Sequence, residues 1–304
     1  MRILICLLFA LLSSQLAFAY PVEQLKTLMP KYVPVRDGYL EYYRFGTGTP
    51  LVLITGFGTD ITSWNKHFLA RLADHHQVIV FNNRNVGGSE IHSDQYKSMD
   101  LAEDTYQLIE GLQLKHPAVL GLSMGGMIGL QLAILHQEKL GPLILLSSAI
   151  AGKQAVRPAK EIERMIRNVP DHDLGRFLVG LRIFFPASQW LPMAFAMGFD
   201  RFLPRAYFEI KSGPLITKQR LLIQDWIKDD AAAKKIMTLK LPVLVMHGDA
   251  DEIIPPVNGL ILARNIPHAQ LLTWPNGGHG MMYQYPEEIA DAVNDFVDEK
   301  LAEY

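Results

Sequence analysis

The chain has 304 residues, 49% of them hydrophobic and 20% charged, which excludes an intrinsically disordered protein and leaves enough apolar material for a large core, or for one domain plus an insertion. Its formal charge of -2 supplies no excess of cations for bulk nucleic-acid binding. The single cysteine, Cys6, excludes a disulfide framework.

The elements begin with a leader. Arg2 supplies a positive end, Ile3 to Leu12 form an unbroken apolar run, and Ala17-Phe18-Ala19 fits a small-x-small cleavage site, so residues 1–19 read as a secretory signal peptide. The run is too short for the roughly 20 apolar residues that span a bilayer. The expectation is export, to a periplasm or to the medium. Cleavage would remove Cys6 and with it any thiol catalysis, and would leave 28 basic against 31 acidic residues, a net of -3.

Next, Tyr32–Val35 and Tyr39–Phe45 flank Asp37-Gly38, a hairpin signal that predicts an antiparallel start to a sheet. Leu51–Thr55, Val78–Phe81, Ala118–Leu122, Leu143–Ser147, Pro242–Met246 and Ala269–Thr273 follow as bounded apolar runs of strand length. Helical stretches separate most of them. One begins near Asp100, where Asp100-Leu101-Ala102-Glu103 has capping-box spacing; another runs from Met124 to about Gln137, and the last from about Pro286 to Leu301. This alternation predicts an α/β fold with a mostly parallel sheet of about eight strands, covered on both faces.

Between Ala151 and Ile236 the rhythm lapses into helical periodicity with scattered prolines and apolar clusters such as Ile183-Phe184-Phe185. Residues 151–236 therefore read as a helical cap inserted into a core formed by 20–150 and 237–304. The cap holds fifteen Lys/Arg against nine Asp/Glu, a net of +6, whereas the other residues of the mature chain carry -9.

In Gly121-Leu122-Ser123-Met124-Gly125 a serine sits where a strand gives way to a helix, the context of a nucleophile elbow. Its strained turn lifts the hydroxyl above the sheet and demands small residues two positions before and after. A serine serving only as a helix N-cap would not need glycine at both. Such a nucleophile requires a base held by a third group. His279, in the Gly-rich loop after the last predicted strand, is the strongest of ten histidines; His75-His76, His116, His136 and His172 lie in polar or helical surroundings that suit a solvated face, and His247 suits a local hydrogen bond. Asp249, Asp251 and Glu252 follow the strand before it, and spacing does not choose among them.

Across residues 31–302, with these motifs in the order Ser, acid, His, the chain resembles the α/β-hydrolase superfamily. That resemblance implies the family sheet with its helical cap, and its acid-loop pattern G-x-x-D-x-x-x-P falls on Gly248, Asp251 and Pro255, which points to Asp251 as the acid. It also implies an oxyanion hole from the N–H groups of Met124 and of Phe57, in a loop Thr55-Gly56-Phe57-Gly58 where Thr55 replaces the family's usual histidine. Trp64 matches a position often aromatic in the family, and a packed core role explains it equally. Asn82-Asn83-Arg84-Asn85 resembles the family's D-x-R-G segment with two departures, Asn82 for Asp and Asn85 for Gly; Arg84 reads as a loop brace, and asparagine tolerates a positive φ.

The implied chemistry is acyl transfer through Ser123, His279 and Asp251, with no cofactor and no metal. The expected substrates are esters or lipids, with Phe184, Phe185, Trp190, Met193, Phe195 and Met197 of the cap as candidate acyl-pocket residues. A basic cap with exposed aromatics would also suit peripheral contact with anionic lipid. Alternatives are an aminopeptidase of the proline-iminopeptidase kind, with Glu161, Glu163 or Glu209 holding a substrate ammonium, carbon–carbon bond hydrolysis or perhydrolysis with the same triad, and a ligand-binding protein without catalysis.

Overall fold

A computed structural model describes residues 20–93, 96–170, 172–199 and 213–302. The expected signal peptide with Cys6, and Glu209 of the cap, lie outside the described residues. No described helix is long and apolar enough to cross a membrane.

Strands β1 (Lys31–Val35) and β2 (Gly38–Phe45) form the expected hairpin, with Asp37 at φ 65 in the turn. β3 (Thr49–Ile54), β4 (His76–Phe81), β6 (Ala118–Leu122), β7 (Leu143–Leu146), β8 (Val243–Gly248) and β9 (Gln270–Trp274) complete the expected set to within two residues. The order is β1-β2-β4-β3-β6-β7-β8-β9, antiparallel up to β4 and parallel from there on. One strand was not anticipated: β5 (Glu90–Ile91) pairs with β2. Two residues carry no period from which to read a strand.

Period-two alternation explains how one continuous apolar run serves two cores. Along β3, Val52 and Ile54 join the cluster beneath the helices Ser98–Gly111 and Met124–His136, while Leu51 and Leu53 join the cluster beneath Lys66–Ala73 and Pro286–Ala302. All four are fully buried, each contributing about 1.5–3 kcal/mol by leaving water.

Two local expectations need correction. The helix expected to be capped by Asp100 starts earlier, at Ser98, and Asp100 instead reaches back to accept from the Lys97 N–H at 2.6 Å; Glu103 faces His136 Nε2 at 3.0 Å. The expectation of a solvated His75-His76 pair holds for His75 alone, whose Nδ1 lies 2.9 Å from Asp298. His76 begins β4, where alternation turns it to the interior: it is fully buried, and neither ring nitrogen has a hydrogen-bond partner among the described residues.

Between β7 and β8 the described residues form the helices Lys160–Arg167, Asp173–Phe184, Trp190–Phe199, Pro214–Trp226 and Asp230–Ile236, with no strand. They supply the helical cover over the carboxyl edge of the sheet.

Candidate active site

Ser123 occupies φ 56, ψ -118 between β6 and the helix Met124–His136, a backbone conformation that only a tightly held turn sustains in a non-glycine residue. Close approach explains its neighbours. A Cβ on Gly121 would lie 2.3 Å from the Gly125 carbonyl oxygen, and one on Gly125 would lie 2.1 Å from that of Ile54. The spacing read from the sequence is thus a backbone-packing requirement. Ser148 Oγ donates to the Ser123 carbonyl at 2.8 Å and braces the turn; no sequence motif marks Ser148.

Of the three candidate acids, Asp251 is the one brought to His279, its Oδ2 2.8 Å from Nδ1. A carboxylate can only accept here, so Nδ1 carries the proton and Nε2 is left as the basic nitrogen. Asp251 is itself aimed by the Ile253 and Ile254 N–H groups, which donate to Oδ1 at 2.9 Å each. Asp249 serves the loop instead, accepting from the Asn276 N–H at 2.6 Å, and Glu252 pairs with Arg182 on the surface. His247 makes the local bond expected of it, Nε2 to the Ile254 carbonyl at 2.8 Å. Its burial holds its pKa down, so it stays neutral beside the acid, 3.6 Å from Oδ2.

The loop carrying Phe57 is pinned at several points. Thr59 Oγ1 donates to the Gly56 carbonyl at 3.1 Å, fixing the peptide whose N–H belongs to Phe57. Asn83 Nδ2 donates to Thr55 Oγ1 at 3.1 Å, and the Ile61 N–H donates to Asn82 Oδ1 at 2.9 Å. From the cap, buried Gln219 accepts from the Gly58 N–H at 2.8 Å. Met124 opens its helix, so its N–H has no intrahelical acceptor. Arg84 acts as a brace: it forks onto Asp104 at 2.6 and 2.7 Å, both buried. Asn85 takes φ 60, and Trp64 stacks on Phe68 inside the core.

Two chambers meet at Ser123 and Phe57. The smaller, about 70 Å³, is bounded by His279, Gly56, Ser63 and Phe184. The larger, about 170 Å³, runs under the cap past Met127, Val156, Ile223 and Ile227 and does not touch His279. Of the cap aromatics expected at an acyl pocket, only Phe184 lines a chamber, its ring 5.8 Å from that of His279. Phe185 and Trp190 lie off both chambers. The helix ends at Phe184, and the extended Phe185 (φ -132, ψ 142) turns its ring into the cluster beneath Lys66–Ala73 and Pro286–Ala302, where it is 2% exposed. Trp190 donates through Nε1 to the Phe185 carbonyl. Phe195 is exposed, Met193 packs on the same cluster as Phe185, and the Met197 side chain is outside the described residues. The cap also locks onto the histidine loop: the Gly280 N–H donates to the Phe184 carbonyl at 2.9 Å, an approach that a Cβ on Gly278 would block at 2.3 Å.

A mostly parallel sheet, a serine on a strained strand-to-helix turn and helical cover over the strands' carboxyl ends together define the class of α/β-hydrolase-fold proteins. The chain belongs to that family: a sequence profile described as alpha/beta hydrolase fold matches residues 49–286. It is 30% identical over 276 residues to a 2-hydroxymuconate semialdehyde hydrolase of Pseudomonas sp. (strain CF600), covering 84% of this chain and 88% of that protein. Among solved structures it is similar in fold to an alpha/beta hydrolase fold protein from Chitinophaga pinensis (TM-score 0.72, 24% identity, 90% and 98% of the two chains). A thermophilic esterase from Thermogutta terrifontis superposes with TM-score 0.71 at 23% identity, covering 89% and 98%. These relatives place the chain among hydrolases.

Proposed function

We propose that this protein is an exported serine hydrolase that cleaves carboxylic esters through an acyl-enzyme. One observation carries the reading: Ser123, on its strained elbow, borders the same small chamber as His279, and Asp251 stands 2.8 Å behind the histidine. In the proposed reaction, Nε2 of His279 removes the Ser123 proton as the serine attacks the ester carbonyl. The Phe57 and Met124 amides hold the oxyanion, each typically worth on the order of 10²–10³ in turnover. Nε2 then protonates the departing alcohol, and water, activated by the same nitrogen, releases the acid. Asp251 keeps the imidazole oriented and supports its positive charge.

The test is a panel of p-nitrophenyl esters and aminoacyl amides, run beside fluorophosphonate labelling. The expected result is ester hydrolysis with covalent modification of Ser123, abolished in Ser123→Ala and strongly reduced in His279→Ala. Amide turnover without ester turnover would favour the aminopeptidase reading. A folded sample that neither labels nor turns over would favour a binding protein. Against the aminopeptidase stands the larger chamber, where the one carboxylate, Glu163, is paired with Arg167 and accompanied by two further arginines.

The export element of the proposal rests on residues 1–19, and cell fractionation tests it. The +6 balance of residues 151–236 supports peripheral contact with anionic membrane. Salt-sensitive co-sedimentation with anionic vesicles is expected, and none at low salt would refute that contact.

A further inference from the structure

The two chambers divide the labour of an ester, and the division names its two halves. A leaving alcohol must take its proton from His279, so it occupies the chamber that His279 borders, about 70 Å³. The acyl chain is left with the chamber of about 170 Å³ on the other side of Ser123. Its walls (Val156, Ile166, Ile223, Ile227) are aliphatic.

The charge at this chamber is unbalanced. Arg157, Arg167, Arg220 and Glu163 border it, and only Arg167 and Glu163 face each other, at 3.8 Å. Among the described residues no carboxylate lies within salt-bridge distance of Arg157 or Arg220. A purely apolar acyl chain gives neither guanidinium a partner, whereas an anion carried on the chain gives them a charge-assisted contact.

We infer that the acyl chamber selects an acyl chain that carries a carboxylate, so that the preferred substrate is a small-alcohol monoester of a dicarboxylic acid. This rests on the ester-hydrolase reading. In the reaction the Ser123 Oγ–acyl bond forms as the ester C–O bond breaks, and the serine proton passes through His279 to the departing alcohol. Water then cleaves the acyl-enzyme, restoring the serine hydroxyl and releasing the free dicarboxylate.

The experiment compares kcat/KM for monomethyl suberate and methyl octanoate on the full chain, at low and high salt, in wild type and in Arg157→Gln/Arg220→Gln. Both arginines reach solvent, so their contacts are partly screened and worth modest amounts; a preference of about five- to tenfold for the monoester at low salt is expected. The ratio should fall toward one in high salt and in the double variant, with Tm unchanged. Turnover of methyl octanoate with a ratio near one in wild type, or a preference that survives in the double variant, overturns the inference and leaves the ester reading intact. Turnover of neither ester and of none in the p-nitrophenyl panel overturns both.

Discussion

Replacing Gln219 by leucine should slow turnover while leaving the protein folded. Gln219 comes from the cap, is 2% exposed, and its Oε1 is the acceptor for the Gly58 N–H at 2.8 Å. Leucine is close in volume but cannot accept, so either a buried N–H is left without a partner, at about 1–3 kcal/mol, or the loop shifts to find one. Either way the cost falls on the peptide next to the proposed oxyanion donor. At about 1.4 kcal/mol per factor of ten, kcat should drop by about tenfold to a hundredfold. KM should stay within a few-fold, because the chamber walls are not altered. Gln219→Glu retains an acceptor and should recover part of the rate. Steady-state kinetics on p-nitrophenyl butyrate, with affinity for a boronic acid that mimics the tetrahedral adduct, is the assay. An unchanged kcat in Gln219→Leu, or a loss seen only in KM or Tm, would refute the coupling of cap to oxyanion loop.

Other outcomes follow from the same geometry. Gly125→Ala places a methyl 2.1 Å from the Ile54 carbonyl oxygen on a central strand that cannot retreat, so it should lower Tm and remove ester hydrolysis; a wild-type melt would contradict the close-packed elbow. Asp251→Asn should reduce kcat on the order of 10⁴-fold by losing the orientation of His279, and a loss below tenfold would shift the role to Asp249 or Glu252. Burial lowers the pKa of His76 from 6.5 to about 4, so the folded protein resists a proton that the unfolded chain accepts. Stability is complete above pH 6.5 and is lost as pH falls toward 4, up to about 3 kcal/mol at about 1.4 kcal/mol per unit. Urea melts across that window should show the slope in wild type and a shallower one in His76→Phe; equal slopes would refute it.

The sheet was legible because its strands are bounded apolar runs, and the elbow because steric demand fixes glycine at 121 and 125 in a way that shows in one-dimensional spacing. Asp251 was legible only through the family resemblance, since three carboxylates in four positions look alike until backbone amides aim one of them. Gln219 was not legible: nothing in the chain connects it with Gly58, 161 positions away. The chamber walls were misassigned for a related reason. Aromatic residues drew attention, but helix direction and the extended Phe185 sent Phe185 and Trp190 elsewhere, and the larger chamber is walled by aliphatic side chains from four separate segments. His76 escaped because polarity was read without the strand phase that buries it.

The central claim is that Ser123 takes up the acyl group. Acid-quenched turnover of p-nitrophenyl butyrate, followed by peptide mass mapping, tests it directly. A butyryl increment on the peptide containing Ser123, accumulating with a burst of p-nitrophenol and absent in Ser123→Ala, is the predicted result. An increment on a different residue, or an undiminished burst in Ser123→Ala, would contradict the assignment.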